Sequence, residues 1–171
     1  IPFQTPCPGM VRKAAGLGYR HCIRGTNVEE ELAEEIGRQP RREAFDSEDE
    51  YFEAVKEYTD ALTETDHYTE WYEATIDPTL DISREVGNWY TGSVHIARAS
   101  GLLRALEEGR DLTGMQMLVG SYGSGAQAEI HAETIQEGWE EELSQVTIDE
   151  QNEARYDLSF EEYEEIHDVH N

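Results

Sequence analysis

Residues 115–135 constrain this chain more than any other stretch. Met115 to Tyr122 is a mostly apolar run, Gly123-Ser124-Gly125 follows it, and Ala126 to Ile135 can return beside it. Glycines on either side of a serine supply the backbone freedom that a tight reversal needs. The pattern predicts a buried strand, a turn and an antiparallel partner strand, although the small residues of the second run also fit a helix. A strand end, a helix, a helical insert, a further helix and then two strands is the order of an α/β layer fold.

Helical signals fill the rest. Ile1-Pro2-Phe3-Gln4-Thr5-Pro6 reads as the end of an extended segment entering a turn. Pro8 suits the first position of a helix, and Met10, Val11, Ala14 and Leu17 then recur at helical spacing. Residues 27–76 are mostly helical and strongly acidic. Asn27 with Glu30, and Ser47 with Glu50, each place a capping side chain three residues before a carboxylate, and Pro40 separates the two stretches. Aromatic residues recur from Glu48 to Thr75 (Tyr51, Phe52, Tyr58, Tyr68, Trp71, Tyr72). That is the pattern of a helix pair packed by its aromatic face; an aromatic wall for a ligand is the alternative.

Asp77-Pro78 breaks the pattern and Gly87-Asn88 marks a loop. Thr91 to Leu106 predicts a buried helix whose small residues (Gly92, Ser93, Ala97, Ala99, Ser100, Gly101) let another backbone approach closely. Gly109 is placed just past its end, where a left-handed residue is favoured. The tail carries short capped helices, Thr147 with Glu150 and Ser159 with Glu162.

Charge excludes several kinds of partner. Lys and Arg number 13 against 38 Asp and Glu, a formal net charge of −25 over 171 residues. Nucleic-acid binding needs clustered cations to displace counterions, and anionic lipid repels such a surface. No apolar run approaches the ~20 residues of a spanning helix. Disorder is disfavoured because hydrophobic residues still make up 37% and fall in periodic runs with caps. Self-repulsion at this charge is relieved by salt screening. Lysine occurs only as Lys13 and Lys56, and an acidic, lysine-poor surface resembles that of proteins from salt-accumulating halophiles. Two cysteines, Cys7 and Cys22, are too few for a disulfide framework, as expected in a reducing cytoplasm. The chain opens at Ile1 inside an element, with no signal-peptide pattern, so a piece of a longer protein is expected.

Few residues offer chemistry. Successive N–H groups in the turn at Ser121-Tyr122-Gly123-Ser124-Gly125 can converge on an oxyanion, or the turn is an ordinary hairpin. It lacks the glycine spacing of a nucleophile elbow. Asn88 either caps the following helix or presents its amide to a substrate carbonyl. Cys7, between Pro6 and Pro8, sits where a helix start lowers a thiol pKa, but no histidine is its neighbour. Cys22, beside His21, reads as a small buried hydrophobe. His167 and His170 are three apart with no third ligand spaced to match, so no metal site is expected. Phosphate-loop, dinucleotide and paired-histidine metal motifs are absent from the sequence.

Three blocks combine these features. The first is Phe3-Gln4-Thr5-Pro6 with Met10 and Arg12-Lys13-Ala14; the second is Val86-Gly87-Asn88-Trp89-Tyr90-Thr91-Gly92-Ser93; the third is Ser121 to Gly125 with the strand after it. In this order they resemble the C-terminal half of 3-hydroxy-3-methylglutaryl-CoA synthases of the archaeal or bacterial kind, almost continuously from Glu85 to about Glu142. The resemblance implies a thiolase-like layered fold. Residues 1–171 would be its C-terminal half, with 26–80 an acidic helical insertion and 140–171 a helical tail. The catalytic cysteine and glutamate of the acetyl-enzyme route would belong to an N-terminal half outside this chain, so neither Cys7 nor any glutamate here fills those roles.

By the same resemblance, Asn88 hydrogen-bonds the acetoacetyl group and the Ser124 backbone N–H completes an oxyanion hole. Gly123 and Gly125 let the backbone approach the substrate. Arg12 and Lys13 are candidates for the CoA phosphates, with ordinary surface charge as the alternative. Gln4 falls where the family has a catalytic histidine in a Phe-His-x-Pro pattern, and Gly9 where the bacterial pattern has lysine. A glutamine amide donates a hydrogen bond but does not titrate near neutral pH. The implied reaction joins acetyl-CoA and acetoacetyl-CoA on the mevalonate route to isoprenoids, without a resident cofactor, in a homodimer. Three alternatives stay open: a condensing enzyme of the ketoacyl synthase type, a non-catalytic paralogue as Gln4 suggests, or a stand-alone acidic binding module.

Overall fold

The structure, a computed structural model, describes residues 8–87, 89–123 and 127–169. It falls into two compact units, Ile1–Trp139 and Glu140–Asn171.

In the first unit, α1 (Pro8–Cys22) begins at the proline whose fixed φ suits a first helical turn. It buries Val11, Ala15 and Tyr19, with Ile23 just beyond. This stripe differs from the expected Ala14 and Leu17 face; both of those are exposed. Gly16 explains the rotation. A Cβ there would lie 2.7 Å from Thr63 Cγ2, so α1 turns its glycine side to the neighbouring helix end.

Helix α2 (Asn27–Ile36) starts one residue earlier than expected, with Thr26 as its cap residue. Gly25, at φ +76°, ends the preceding turn. Its N–H donates to Glu29 Oε2 at 2.6 Å, while the Thr26 hydroxyl donates backwards to Ile23 O. The Asn27–Glu30 box is therefore not formed.

Helix α3 (Glu48–Leu62) carries the full Ser47–Glu50 capping box. Helix α4 (Asp66–Thr75) is capped by Thr65, which accepts from Tyr68 N at 3.2 Å. Tyr19, Trp71 and Tyr72 pack around Tyr68 at centroid distances of 5.5–5.8 Å, and Tyr19 meets Trp71 at 4.5 Å, contacts each worth about 0.5–1.5 kcal/mol beyond burial. The core joins these rings to Leu32, Leu62, Ile76 and Leu80. The aromatic face is thus a packing face, although Phe52 stays exposed.

A 3-10 turn at Asp77–Leu80, opened by Pro78, leads into α5 (Asp81–Val86). After a second 3-10 turn at Tyr90–Gly92 comes α6 (Ser93–Glu107). Its small residues meet the Asp77–Leu80 turn: a Cβ on Gly101 would lie 3.0 Å from Thr79 Cγ2, and Ser100 Oγ donates to Pro78 O at 2.7 Å. Gly109 adopts φ +64° just past the helix, and Arg110 N returns to Ala105 O at 2.9 Å, as expected of a glycine-terminated helix.

Strands β1 (Gln116–Gly123) and β2 (Gln127–Thr134) pair antiparallel, Gln116 opposite Thr134 and Gly123 opposite Gln127. The helix alternative for the second run is excluded. Burial is one-sided, however. Val119 is 3% exposed, whereas Leu118 is 41% and Ile130 72% exposed. Among the described residues the sheet has two strands, so β1 is half covered rather than fully buried. The result is a mixed helix-and-strand unit with a small sheet.

Helix α7 (Trp139–Leu143) straddles the boundary between the units. The second unit continues with α8 (Ile148–Glu153) and α9 (Phe160–Val169). The Ser159–Glu162 box forms, at 3.2 and 2.8 Å. Thr147 stands at the cap position of α8 but makes no capping bond; its hydroxyl accepts from Gln151 Nε2 instead. Among the described residues no helix is long and apolar enough to cross a membrane.

Candidate functional site

Gln4, Cys7, Asn88, Ser124, Gly125 and His170 lie outside the described residues. What the structure gives is the framework on which the Asn88 and Ser124 positions sit. Gly87 ends α5 at φ +77°, and Tyr90 takes φ +52°, left-handed backbone that a bulky residue rarely adopts. Position 88 is thus bracketed by two positive-φ residues. The loop is pinned by Ser93, 1% exposed, whose Oγ accepts from Trp89 N at 2.9 Å. A backbone outlier held by a buried hydroxyl is the kind of local strain found at ligand loops. Trp89 and Tyr90 themselves are exposed.

The second framework element is the hairpin. Gly123 closes β1 opposite Gln127, which leaves residues 124–126 as its connection. On one face, Val119 and Met117 lie across from His131 and Glu133, and Val119 on this face is buried. Arg98, in the second turn of α6, reaches this face: its Nη1 donates to both Glu133 carboxylate oxygens at 2.8 Å. His131 Nε2 lies 3.0 Å from Glu133 Oε1. Burial raises the Glu133 carboxyl, but hydrogen bonds and charge from His131 and Arg98 outweigh it and hold the group below the usual carboxylate range. Sequence reading missed Arg98, His131, Glu133 and Ser93. Arg98 and Glu133 are 35 residues apart on different elements, so no local pattern marks them.

Arg12 and Lys13 behave differently from one another. Arg12 Nη2 donates to Thr63 O at 2.7 Å and to Thr69 Oγ1 at 3.0 Å. Its guanidinium carbon stands 5.3 Å from the Tyr68 ring centroid and 5.1 Å from that of Tyr72. Tyr68 in turn donates its hydroxyl to Arg12 O at 2.6 Å. The side chain is engaged within the helical core. Lys13 is exposed and pairs with Asp60 at 3.3 Å. Cys22, expected to be buried, is exposed; it is the last residue of α1, and Ile23 rather than Cys22 continues the buried stripe.

Grooves lie among the described residues of the first unit. One of about 400 Å³ touches Thr79, Arg98, Gly101, Leu102, Met117 and Ile135, at the end of the hairpin away from the 124–126 connection. The other, about 540 Å³, is bordered by Glu29, Glu30, Glu34, Arg38, Gln39 and Arg41. Among the described residues no group of three or more His, Cys, Asp or Glu side chains is placed to hold a metal ion.

A family model described as hydroxymethylglutaryl-coenzyme A synthase C terminal matches residues 1–171. The hydroxymethylglutaryl-CoA synthase of Haloferax volcanii is 61% identical over 171 residues, all of this chain and 38% of that protein. Hydroxymethylglutaryl-CoA synthase A of Dictyostelium discoideum is 33% identical over 132 residues, 74% of this chain and 24% of its own length. The Enterococcus faecalis synthase is 38% identical over 92 residues, 53% of this chain and 23% of its own. The chain therefore spans well under half the length of the curated relatives it matches. No solved structure matches it.

Proposed function

Because this chain belongs to the hydroxymethylglutaryl-coenzyme A synthase C-terminal family, we infer that it works as the C-terminal part of an acyl-CoA condensing enzyme. The whole protein joins acetyl-CoA and acetoacetyl-CoA to 3-hydroxy-3-methylglutaryl-CoA, forming a carbon–carbon bond on the mevalonate route to isoprenoids. One observation carries the reading: 61% identity to a synthase along all 171 residues of the chain. The fold is then one half of a thiolase-like layered architecture, with residues 26–80 an insertion and 140–171 a tail. A homodimer is the expected assembly.

Within this reading the Asn88 carboxamide hydrogen-bonds the acetoacetyl ketone, and the Ser124 N–H stabilises a thioester oxyanion. One such donor is typically worth about 3–4 kcal/mol in the transition state. Gly123 and Gly125 keep the backbone at that turn open to substrate. Gln4 offers an uncharged hydrogen bond to the ketone, without proton exchange. Lys13 remains a candidate for the CoA phosphates; Arg12 is already engaged by Thr63, Thr69 and two rings. The nucleophilic cysteine and the proton-abstracting glutamate come from the other half, and CoA thioesters are substrates rather than resident cofactors.

The test is CoA release from acetyl-CoA plus acetoacetyl-CoA by the full-length protein, with product identified by mass. No condensation by the full-length protein refutes the reading, and turnover by residues 1–171 alone refutes the division of labour. Gln4 favours one second reading, a paralogue that has lost chemistry. In full-length protein, a large gain of rate in Gln4→His supports that reading; an unchanged rate supports a site adapted to glutamine.

A further inference from the structure

The loop before α6 and the connection of the β1–β2 hairpin are carried on separate elements, and the proposed reaction needs both at one substrate. We propose that Arg98 is a positioning residue for the condensation, and that its ion pair with Glu133, joined by His131, sets the alignment of the hairpin on α6. This inference rests on the functional reading of Asn88 and Ser124 given above.

The hairpin meets α6 through β1, where Val119 and Gly120 are buried. Nearly all of β2 is exposed, and a two-stranded ribbon is marginal in water unless something packs on it. Val119 supplies buried apolar contact, but such contact is non-directional and does not resist a small slide. The ion pair is directional. One guanidinium nitrogen donates to both carboxylate oxygens at 2.8 Å, and His131 Nε2 adds a 3.0 Å contact to Oε1. The Arg98 and Glu133 side chains are only 35% and 31% exposed, so screening by water is reduced relative to an open surface pair.

His131 and Glu133 stand two apart on β2 and therefore share a face. A one-residue slip would carry both to the opposite face, away from Arg98. The pair consequently favours the observed register of β2 on β1, with Glu133 on the face that Arg98 reaches. Arg98 is five residues from the start of α6, and that start is five residues from position 88. Glu133 is continuous through β2 with the 124–126 connection. Arg98 thus shares α6 with the helix start that follows the position 88 loop, and Glu133 shares β2 with the strand end beside the connection.

The experiment uses the full-length protein and six variants: Arg98→Met, Arg98→Lys, Glu133→Gln, Arg98→Glu, Glu133→Arg and the charge-exchanged double Arg98→Glu/Glu133→Arg. A displacement near 1 Å costs on the order of 100-fold in rate. Arg98→Met and Glu133→Gln are expected to lose ~100-fold in kcat, with little change in KM for acetoacetyl-CoA or in melting temperature. Arg98→Lys keeps the charge and should recover part of the loss. The double variant should exceed either of its parent single substitutions, which are measured alongside. If Arg98→Met is poorly folded, Glu133→Gln, which preserves shape, decides the matter. A kcat close to wild type in Glu133→Gln, or a loss that merely follows the fraction of folded protein, overturns the inference while the functional reading stands. A wild-type protein that does not condense the two thioesters overturns the reading and this inference with it.

Discussion

Replacing Arg12 with methionine keeps most of the apolar stem and removes the guanidinium from the seam between α1 and α4. Thr63 is 5% exposed, so its carbonyl would lose a 2.7 Å charged donor with little water to replace it. Leaving a buried acceptor in that state costs about 1–3 kcal/mol. The two ring contacts, at 5.3 and 5.1 Å, add about 0.5–1 kcal/mol each. Together these give a loss of about 2–5 kcal/mol, a large share of the ~5–15 kcal/mol of a typical domain. The assay is urea unfolding of full-length protein at one fixed, high potassium chloride concentration. Guanidinium chloride is unsuitable because it would screen the acidic surface while denaturing it. Arg12→Lys keeps a charge near the rings but loses the planar fork, and should fall between the two. A loss below about 0.5 kcal/mol for Arg12→Met, the level of an ordinary surface change, would refute the packing role. If the same variant instead raised KM for a CoA thioester at unchanged stability, the phosphate-contact expectation would replace it.

Three further outcomes follow from the geometry. Gly16→Ala should destabilise by about 1–3 kcal/mol through overpacking, because the new Cβ would lie 2.7 Å from Thr63 Cγ2 and 3.1 Å from Thr59 Cγ2. Gly18→Ala, two residues on with nothing within 4 Å, should stabilise by about 0.5–1 kcal/mol through helix propensity; urea midpoints having the same sign for both would contradict the packing of α1. Burial raises the phenol pKa of Tyr19, Tyr58, Tyr68 and Tyr72 above the ordinary 10.0. Their contribution is therefore complete below about pH 10 and is lost as pH climbs past it, so the tyrosinate absorbance of these four should appear together with unfolding in alkali; smooth titration of all tyrosines in folded protein would count against this core. Stability should rise steeply from dilute buffer to molar potassium chloride, since 38 acidic residues face 13 basic ones; a flat salt response would remove the halophile inference.

The parts of the fold legible in the sequence were those decided locally. The Ser47–Glu50 and Ser159–Glu162 boxes close within four residues, and Gly109 terminates α6 where a glycine was expected. The hairpin was legible from its glycines, although its exposed outer face at Leu118 and Ile130 was not. Errors arose where a neighbour decided. Gly25 at φ +76° moved the cap of α2 from Asn27 to Thr26, and contact with Thr63 turned α1 onto Ala15 rather than Ala14. In the candidate site, position 88 and the 124–126 connection were visible as motifs. The side chains that hold their carriers, Ser93, Arg98 and Glu133, were not, because a serine in a helix and a carboxylate in an acidic chain look like many others.

The distribution of the cations answers how so acidic a chain holds together. Its two lysines make only exposed contacts, Lys13 to Asp60 at 3.3 Å and Lys56 to Glu53 at 3.9 Å, of the kind worth little in water and less in salt. Five of the eleven arginines stand at seams between segments. Arg12 joins α1 to α4, and Arg41 joins the turn after α2 to Glu29 at 2.6 Å. Arg104 ties α6 to Asp81 of α5 at 3.1 Å, and Arg84 holds Asp77 and Asp81 together. Arg98 fastens α6 to β2. A lysine presents a strongly hydrated point charge, whereas a guanidinium fork can satisfy two acceptors at once and gives up water more readily. Glu29, Asp81 and Glu133 give Arg41, Arg104 and Arg98 a carboxylate on a neighbouring segment, while Arg12 finds a carbonyl and a hydroxyl. The acidic surface that repels itself in dilute buffer thus also supplies the acceptors that lock its helices and hairpin in place.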